Sequence, residues 1–277
     1  VKYVALISYG KDSLAMLHVI TEVLKQPLDR IITAEVWATD DIQADLPPMV
    51  EFKDAADEII EKRWGIKVER FCALEEDGSK RTYEKCFYKR HTKSNKDYKI
   101  GNIYGFPYLR GAWCNGLLKM DAVKRANSTK GEKDVSYIGI AADESVRVER
   151  HRKRDGVVLP LVEAGWTEQM CFDWCKENKL LSPLYATANR GGCWFCHNQG
   201  NEQLRLLRKN YPELWTLLLK WDDDAPWYAK FKPGRTVHDY EKRFQLEDEG
   251  YFDFGCAFKW DCLKATQMNL HQFIKGV

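Results

Sequence analysis

Two clusters of residues in this chain have the types and spacing to do chemistry. The first is Ser8-Tyr9-Gly10-Lys11-Asp12-Ser13. A glycine lets the backbone approach an anion closely, and the N–H groups that open a helix point at it. Lys11 adds a full positive charge, and the hydroxyls of Ser8 and Ser13 can donate hydrogen bonds. Such a turn is a phosphate cradle. It is not the Walker A pattern Gly-x-x-x-x-Gly-Lys-Ser/Thr, which the chain lacks, and it carries an acid, Asp12, directly after its lysine. The second cluster is Cys193-Trp194-Phe195-Cys196, a pair of thiols that can chelate one metal or cluster from a tight turn.

The elements needed to position these residues can be read from apolar pattern. Lys2 to Ile7 is an apolar run ending in the turn, and Leu14, Leu17, Ile20 and Leu24 behind it keep helical period. A second buried strand follows over Arg30 to Thr39, at the spacing of a β-α-β unit, which implies parallel pairing by a right-handed crossover. Pro47 and Pro48 open another helix, with Phe52, Ala56, Ile59 and Ile60 on its inner face and Gly65 at its end. Ile66 to Cys72 and Val135 to Ile140 fit the third and fourth strands. Pro160 makes the apolar run Val157 to Val162 an edge strand or a strand end. Thr167 caps a helix reaching Asn178, an amphipathic helix over Asn201 to Trp221 is broken at Pro212, and Thr236 caps a last one over Val237 to Asp248.

The expectation is an α/β fold, an open and mostly parallel five-stranded sheet with helices on both faces, over residues 1–200, with a helical region packed on it over 201–277. A basic insertion at about 78–110 interrupts the rhythm. Lys80, Arg81, Lys85, Lys89, Arg90, Lys93, Lys96 and Lys99 are interleaved there with Tyr83, Phe87, Tyr88 and Tyr98. It reads either as a solvated excursion or as a lid or docking surface for a nucleic-acid or protein acceptor.

Composition narrows the class. A chain of 277 residues has room for one large domain or two modest ones. A formal net charge of +2 gives no global argument for nucleic acid or membrane. No run approaches the ~18–20 apolar residues of a membrane span, and no signal peptide precedes the first strand, so a soluble cytoplasmic protein is expected. In that setting nine cysteines argue for metal or redox chemistry over a disulfide framework. The ten tryptophans read as core or pocket walls.

The turn Ser8–Ser13 resembles the pyrophosphate loop of the N-type ATP pyrophosphatases and of the phosphoadenylyl-sulfate (PAPS) reductase family. The stretch Gly139-Ile140-Ala141-Ala142-Asp143-Glu144-Ser145-Val146-Arg147 is similar to a nucleotide-side motif of that family, departing from it at Ala141, where arginine is common. The ordered succession Leu159-Pro160-Leu161, Trp166-Thr167-Glu168, Asn178, Ser182-Pro183-Leu184-Tyr185, Gly192-Cys193-Trp194-Phe195-Cys196 and Tyr211-Pro212-Glu213-Leu214-Trp215 also resembles it. Arg110-Gly111-Ala112-Trp113-Cys114, ahead of Lys119, looks like the place where iron–sulfur members carry two adjacent cysteines; here Asn115 follows Cys114.

The resemblance implies that ATP or (phospho)adenylyl sulfate lies over the sheet, contacted by Ser8, Tyr9, Gly10, Lys11, Asp12, Ser13, Gly139, Glu144, Ser145 and Arg147. Lys11, Asp12 and Cys114 are the candidate catalytic residues, and Asp12 or Asp40 is expected to hold Mg2+. Cys114, Cys193 and Cys196 would bind a 4Fe–4S cluster with one open iron, or zinc if His197, Cys256 or Cys262 adds a fourth ligand. The remaining cysteines, Cys171 and Cys175 among them, read as core or free thiols, and the other histidines as structural or surface groups. Three functions follow. The first is ATP-dependent adenylation coupled to sulfur transfer. The second is reduction of an adenylyl sulfate with a thiol reductant, although the Glu-Cys-Gly-Ile/Leu-His nucleophile of such reductases is missing. The third is an adenine-nucleotide sensor in regulation or defence.

Overall fold

The computed structural model describes residues 1–107, 112–126, 134–186 and 191–251. Five strands form one all-parallel sheet in the order β3-β2-β1-β4-β5: β1 Lys2–Ile7, β2 Arg30–Glu35, β3 Val68–Cys72, β4 Asp134–Ile138 and β5 Val157–Val158. β1 is central, with Leu6 paired to Ile32 on one side and to Ile138 on the other. Its side chains alternate between two buried faces, as a central parallel strand requires. Ala5 and Ile7 join the layer of α1 (Lys11–His18), α2 (Pro47–Trp64) and, later in the chain, the helix Glu168–Glu177. Val4 and Leu6 face the opposite side with Ile32, Phe71 and Ala126.

The strands are shorter than the apolar runs suggest, because hydrophobicity continues past the last ladder hydrogen bond. β2 ends at Glu35, and Trp37 makes only an isolated antiparallel bridge to Gln43. β5 stops before Pro160, which opens a short helix where its missing N–H costs nothing. α1 runs into a π-helical turn over Val19–Val23. α2 starts on Pro47 and ends at Gly65, whose φ of 69° is the left-handed cap that glycine tolerates.

The basic segment holds α3 (Tyr83–Tyr88), capped by the Thr82 side chain and buried through Tyr83, Cys86 and Phe87. Its first half is therefore a core element and not a solvated excursion. Lys80 and Lys85 both bind Asp40, and Arg81 binds Glu75. A π-turn over Asn115–Met120 leads into α4 (Asp121–Ala126). α5 (Ser145–His151) and α6 (Pro160–Glu163) follow β4 and β5, and α7 is Glu168–Glu177, capped by Thr167. The helices α8 (Asn201–Asn210), α9 (Pro212–Asp224) and α10 (Val237–Asp248) close the described chain. Pro212 splits α8 from α9, and Thr236 caps α10 in a capping box with Asp239. Trp215, Leu218 and Trp221 of α9 share one apolar cluster with Val36, Ala38, Tyr83, Trp194 and Phe195. No helix among the described residues is long and apolar enough to cross a membrane.

Candidate functional site

In this strand order the chain turns to opposite sides after β1 and after β4, so a crevice opens between their carboxyl ends, the place where open α/β sheets bind ligands. The turn Ser8–Ser13 follows β1, and Gly139–Arg147 follows β4. The two are in contact: a Cβ built on Gly139 would lie 2.8 Å from Ser13 Cα and 2.9 Å from the Asp12 carbonyl oxygen. Gly139 thus acts by letting the β4 turn press against the start of α1.

Within the loop, the Ser13 hydroxyl donates to the Gly10 carbonyl at 2.9 Å and accepts from the Ser8 N–H at 3.1 Å. Ser13 is buried and sets the turn, whereas Ser8 is exposed. Gly10 has an ordinary extended backbone, φ −76° and ψ 152°, and a Cβ there would meet its nearest atoms at 3.5 and 3.6 Å. Neither conformation nor packing demands a glycine, and the atoms a side chain would first meet are the hydroxyls of Ser8 and Tyr185. The unusual backbone belongs to Tyr9, at φ 54°. Its ring is fully buried, its hydroxyl donates to Asp57 at 2.6 Å, and Arg70 Nε lies 3.3 Å from that hydroxyl. Burial first, and Asp57 second, push the phenol well above its usual range. Only the backbone of Tyr9 faces the crevice chemistry; its side chain anchors the turn.

Lys11 Nζ lies 2.7 Å from Asp12 and 3.5 Å from Glu168. Burial pulls its pKa down, but the hydrogen bond and charge of Asp12 outweigh that, and the net shift is upward. Asp12, Glu144 and Glu168 present carboxylate oxygens all within 4.8 Å of one another. Burial is the largest influence on the Asp12 carboxyl and raises it; Lys11 opposes it, Glu168 and Glu144 add to the rise, and the net shift is upward. Crowded carboxylates of this kind fit a hard divalent cation such as Mg2+. The expected alternative ligand, Asp40, stands apart, because the chain leaves the sheet at Glu35 and Asp40 is held by Lys85 at 2.7 Å. Arg147 folds back onto Glu144 at 2.5 and 2.7 Å, and Ser145 is an exposed residue opening α5.

Sequence reading did not single out Glu168 or Tyr185 individually. Glu168 is set by the start of α7, where its N–H bonds Asp143 at 3.1 Å. The Tyr185 hydroxyl accepts from the Lys11 N–H at 3.3 Å and roofs Gly10. Both lie inside motifs of the family resemblance, which was the one signal that could have found them. Beneath the loop, Cys175 Sγ donates to the Lys11 carbonyl at 3.2 Å, and burial raises its thiol to about 12. Cys171 and Cys175 are fully buried, in keeping with a packing role.

The thiol centre lies in the other apolar cluster. The Cys193–Cys196 turn is sewn to the loop after β2: the Trp194 N–H donates to the Ala44 carbonyl at 2.9 Å and its indole N–H to the Gln43 carbonyl at 3.0 Å. Cys114, at the entry of the π-turn, packs on the same cluster. Burial pushes Cys193 up to about 12, with Cys196 and Cys114 adding to the shift. Burial also raises Cys114, with Cys196 next in weight. The nearby charge of Cys193 is the leading cause that lifts Lys119. Cys114, Cys193 and Cys196 thus act electrostatically on one another.

The hydroxyl of Tyr83 is buried beside all three thiols and has no hydrogen-bond partner. An orphaned O–H donor facing thiols fits an electron-rich sulfur group held by them. The thiols are not drawn together as tightly as the acidic trio, whose 4.8 Å spacing no other such set attains among the described residues. His197 is buried next to Cys196 in sequence; Cys256 and Cys262 lie outside the described residues.

The two centres are joined by one strand of charge. Lys53, buried in α2, stands 5.4 Å over the Tyr9 ring and pairs with Asp45, whose charge acts on Cys193 and Lys119.

An uncharacterized protein of Methanocaldococcus jannaschii is 22% identical over 236 residues, 80% of this chain and 41% of that protein. The chain thus spans about two fifths of that relative's length. No protein-family profile matches the chain, and no solved structure does.

Proposed function

We propose that this protein binds ATP at the Ser8–Ser13 turn, promotes adenylation of an acceptor, and delivers sulfur to that acceptor at Cys114, Cys193 and Cys196. The observation that carries the reading is the meeting of the β1 and β4 turns at the switch point, with Lys11 and three carboxylates converging beside a glycine that packing does not require.

An acceptor oxygen attacks the α-phosphorus, the bond to the β-phosphate oxygen breaks, and pyrophosphate leaves toward Lys11 and the N–H groups opening α1. Asp12, Glu144 and Glu168 would hold Mg2+, which supplies charge neutralisation on the leaving group. Lys11 is kept protonated by Asp12, so it can take the departing charge. Tyr185 fixes the first N–H of the helix, and Ser13 keeps the turn closed. A sulfide-level sulfur supplied by an external sulfide donor then attacks the activated acceptor carbon, the carbon–oxygen bond to the adenylate breaks, and AMP departs with that oxygen. Cys114, Cys193 and Cys196 would hold the soft metal or cluster whose chemistry is to bind sulfur. Burial favours the protonated form of the Cys114 and Cys193 thiols, and a thiophilic metal would displace those protons.

The test is calorimetric ATP binding in the presence of Mg2+, with pyrophosphate release followed in parallel. Lys11→Ala is expected to weaken ATP binding by about 10- to 100-fold, the scale of a lost charged hydrogen bond. Unchanged affinity would remove the turn from nucleotide binding.

A further inference from the structure

The structure holds a cavity of about 830 Å³, walled by the second half of the basic segment and by the loop after α9. Lys96, Lys99, Lys230 and Lys232 line it, and no Asp or Glu does among its described lining residues. This differs from the first half of the basic segment, where Arg81 and Lys85 meet acidic side chains and Lys80 donates to the Asp40 carbonyl. Lys96, Lys99 and Lys230 make no ion pair among the described residues.

The same walls carry aromatic faces. Trp227 is 72% exposed and Tyr98 42% exposed, with ring centroids 5.3 Å apart, and Tyr228 lies 5.3 Å from Tyr98. A tryptophan left this open at the mouth of a basic cavity offers a stacking surface. Trp113 and His197, the chain neighbours of Cys114 and Cys196, also line it. The walls are braced: the Tyr228 hydroxyl donates to the Ile103 carbonyl at 3.0 Å, Lys232 Nζ donates to the Gln199 carbonyl at 2.5 Å, and a Cβ on Gly105 would stand 2.8 Å from Ala229.

We infer that this cavity is the acceptor site and that its ligand is a single-stranded polynucleotide segment, an inference that rests on the sulfur-transfer reading above. Lysines on two opposed chain segments suit phosphates on either side of an unstacked base. Trp227 and Tyr98 suit neighbouring bases running out over the rim. The volume is at the upper end of the ~300–1,000 Å³ of small-ligand pockets, and the rim extends it outward. A base inside a duplex could not enter the cavity, so the strand must be unpaired there.

The probe is a fluorescein-labelled single strand of about ten nucleotides, as RNA and as DNA, with a hairpin duplex of the same sequence as control, read by fluorescence anisotropy. The full chain should bind the single strand more tightly than the duplex, and affinity should fall as salt rises from about 50 to 200 mM. Trp227→Ala should weaken single-strand binding by at least about fivefold, the lower range for one stacked base. Lys96→Gln with Lys99→Gln should flatten the salt dependence. Trp227 is exposed, so its loss leaves the core intact, and ATP affinity measured on the same samples should hold. Binding unaltered by these substitutions, or equal binding of duplex and single strand, overturns the inference. Loss of ATP binding in Lys11→Ala with polynucleotide binding retained leaves both readings standing. Absence of ATP binding in the unaltered chain breaks the adenylation reading alone.

Discussion

The turn at Ser8–Ser13 and the thiol centre around Cys193 differ in how much chain each needs. The first is six consecutive residues on the end of the central strand, and its internal hydrogen bonds run between Ser8, Gly10 and Ser13. The second needs Cys114, the Cys193–Cys196 turn and, for its anchor, the Gln43–Ala44 backbone. They also differ electrically. Around Lys11 the surplus groups are carboxylates, and around the cavity lined by Trp113 and His197 they are lysines. On the proposed function, a nucleotide with its magnesium and a polyanionic acceptor would ask for those opposite surroundings.

The contrast can be broken most directly at the thiols. Cys193→Ser should abolish bound metal and acid-labile sulfide in anaerobically purified protein, while ATP affinity changes by less than about twofold, as for independent sites. If ATP affinity falls with the metal, the two centres are one. Gly139→Val attacks the other region. Its added carbons meet α1 backbone at 2.8–2.9 Å, which should lower stability by about 1–3 kcal/mol in urea unfolding and impair ATP binding, with metal content retained.

A smaller effect is expected of Glu168→Gln, which removes one charge from the acidic trio. The magnesium concentration for half-maximal ATP binding should rise about two- to fivefold, as for a partly exposed charge, and an unmoved requirement would leave Glu168 outside the cation site. The smallest concerns the scaffold. Glu22 is bound by Arg63 Nε at 2.7 Å, and that hydrogen bond chiefly lowers its carboxyl to about 2 from an ordinary value of 4.5. The folded state therefore binds this proton less readily than the unfolded chain. The stabilisation is whole above about pH 4.5 and fades as pH falls toward 2. Glu22→Gln should flatten that part of the acid-unfolding curve, and an unaltered curve would show the pair to be inert.

Much of the scaffold could be read from local pattern. The Pro47 start and Gly65 stop of α2, the Thr167 and Thr236 caps and the break at Pro212 all appear where the residues announce them. Each depends on a few neighbours in the chain. Strand ends were harder, since Val36 and Trp37 stay apolar after β2 has left the ladder to join the second core. The basic segment hid α3, because its charge pattern masks the period of Tyr83, Cys86 and Phe87, which become visible only with the cluster they enter.

The residues by themselves determined the parallel sheet, the turn on its central strand and the pairing of Cys193 with Cys196, because alternation, capping and short spacing act within one stretch of backbone. Packing decided the rest. It brought Glu168 to Lys11 while Asp40 stays with Lys85, turned the Tyr9 ring into the core, laid Tyr185 over Gly10, and set Cys114 within electrostatic reach of Cys193 and Cys196. Each of these is a meeting of side chains from distant segments, fixed by how helices and loops fill the space around the sheet.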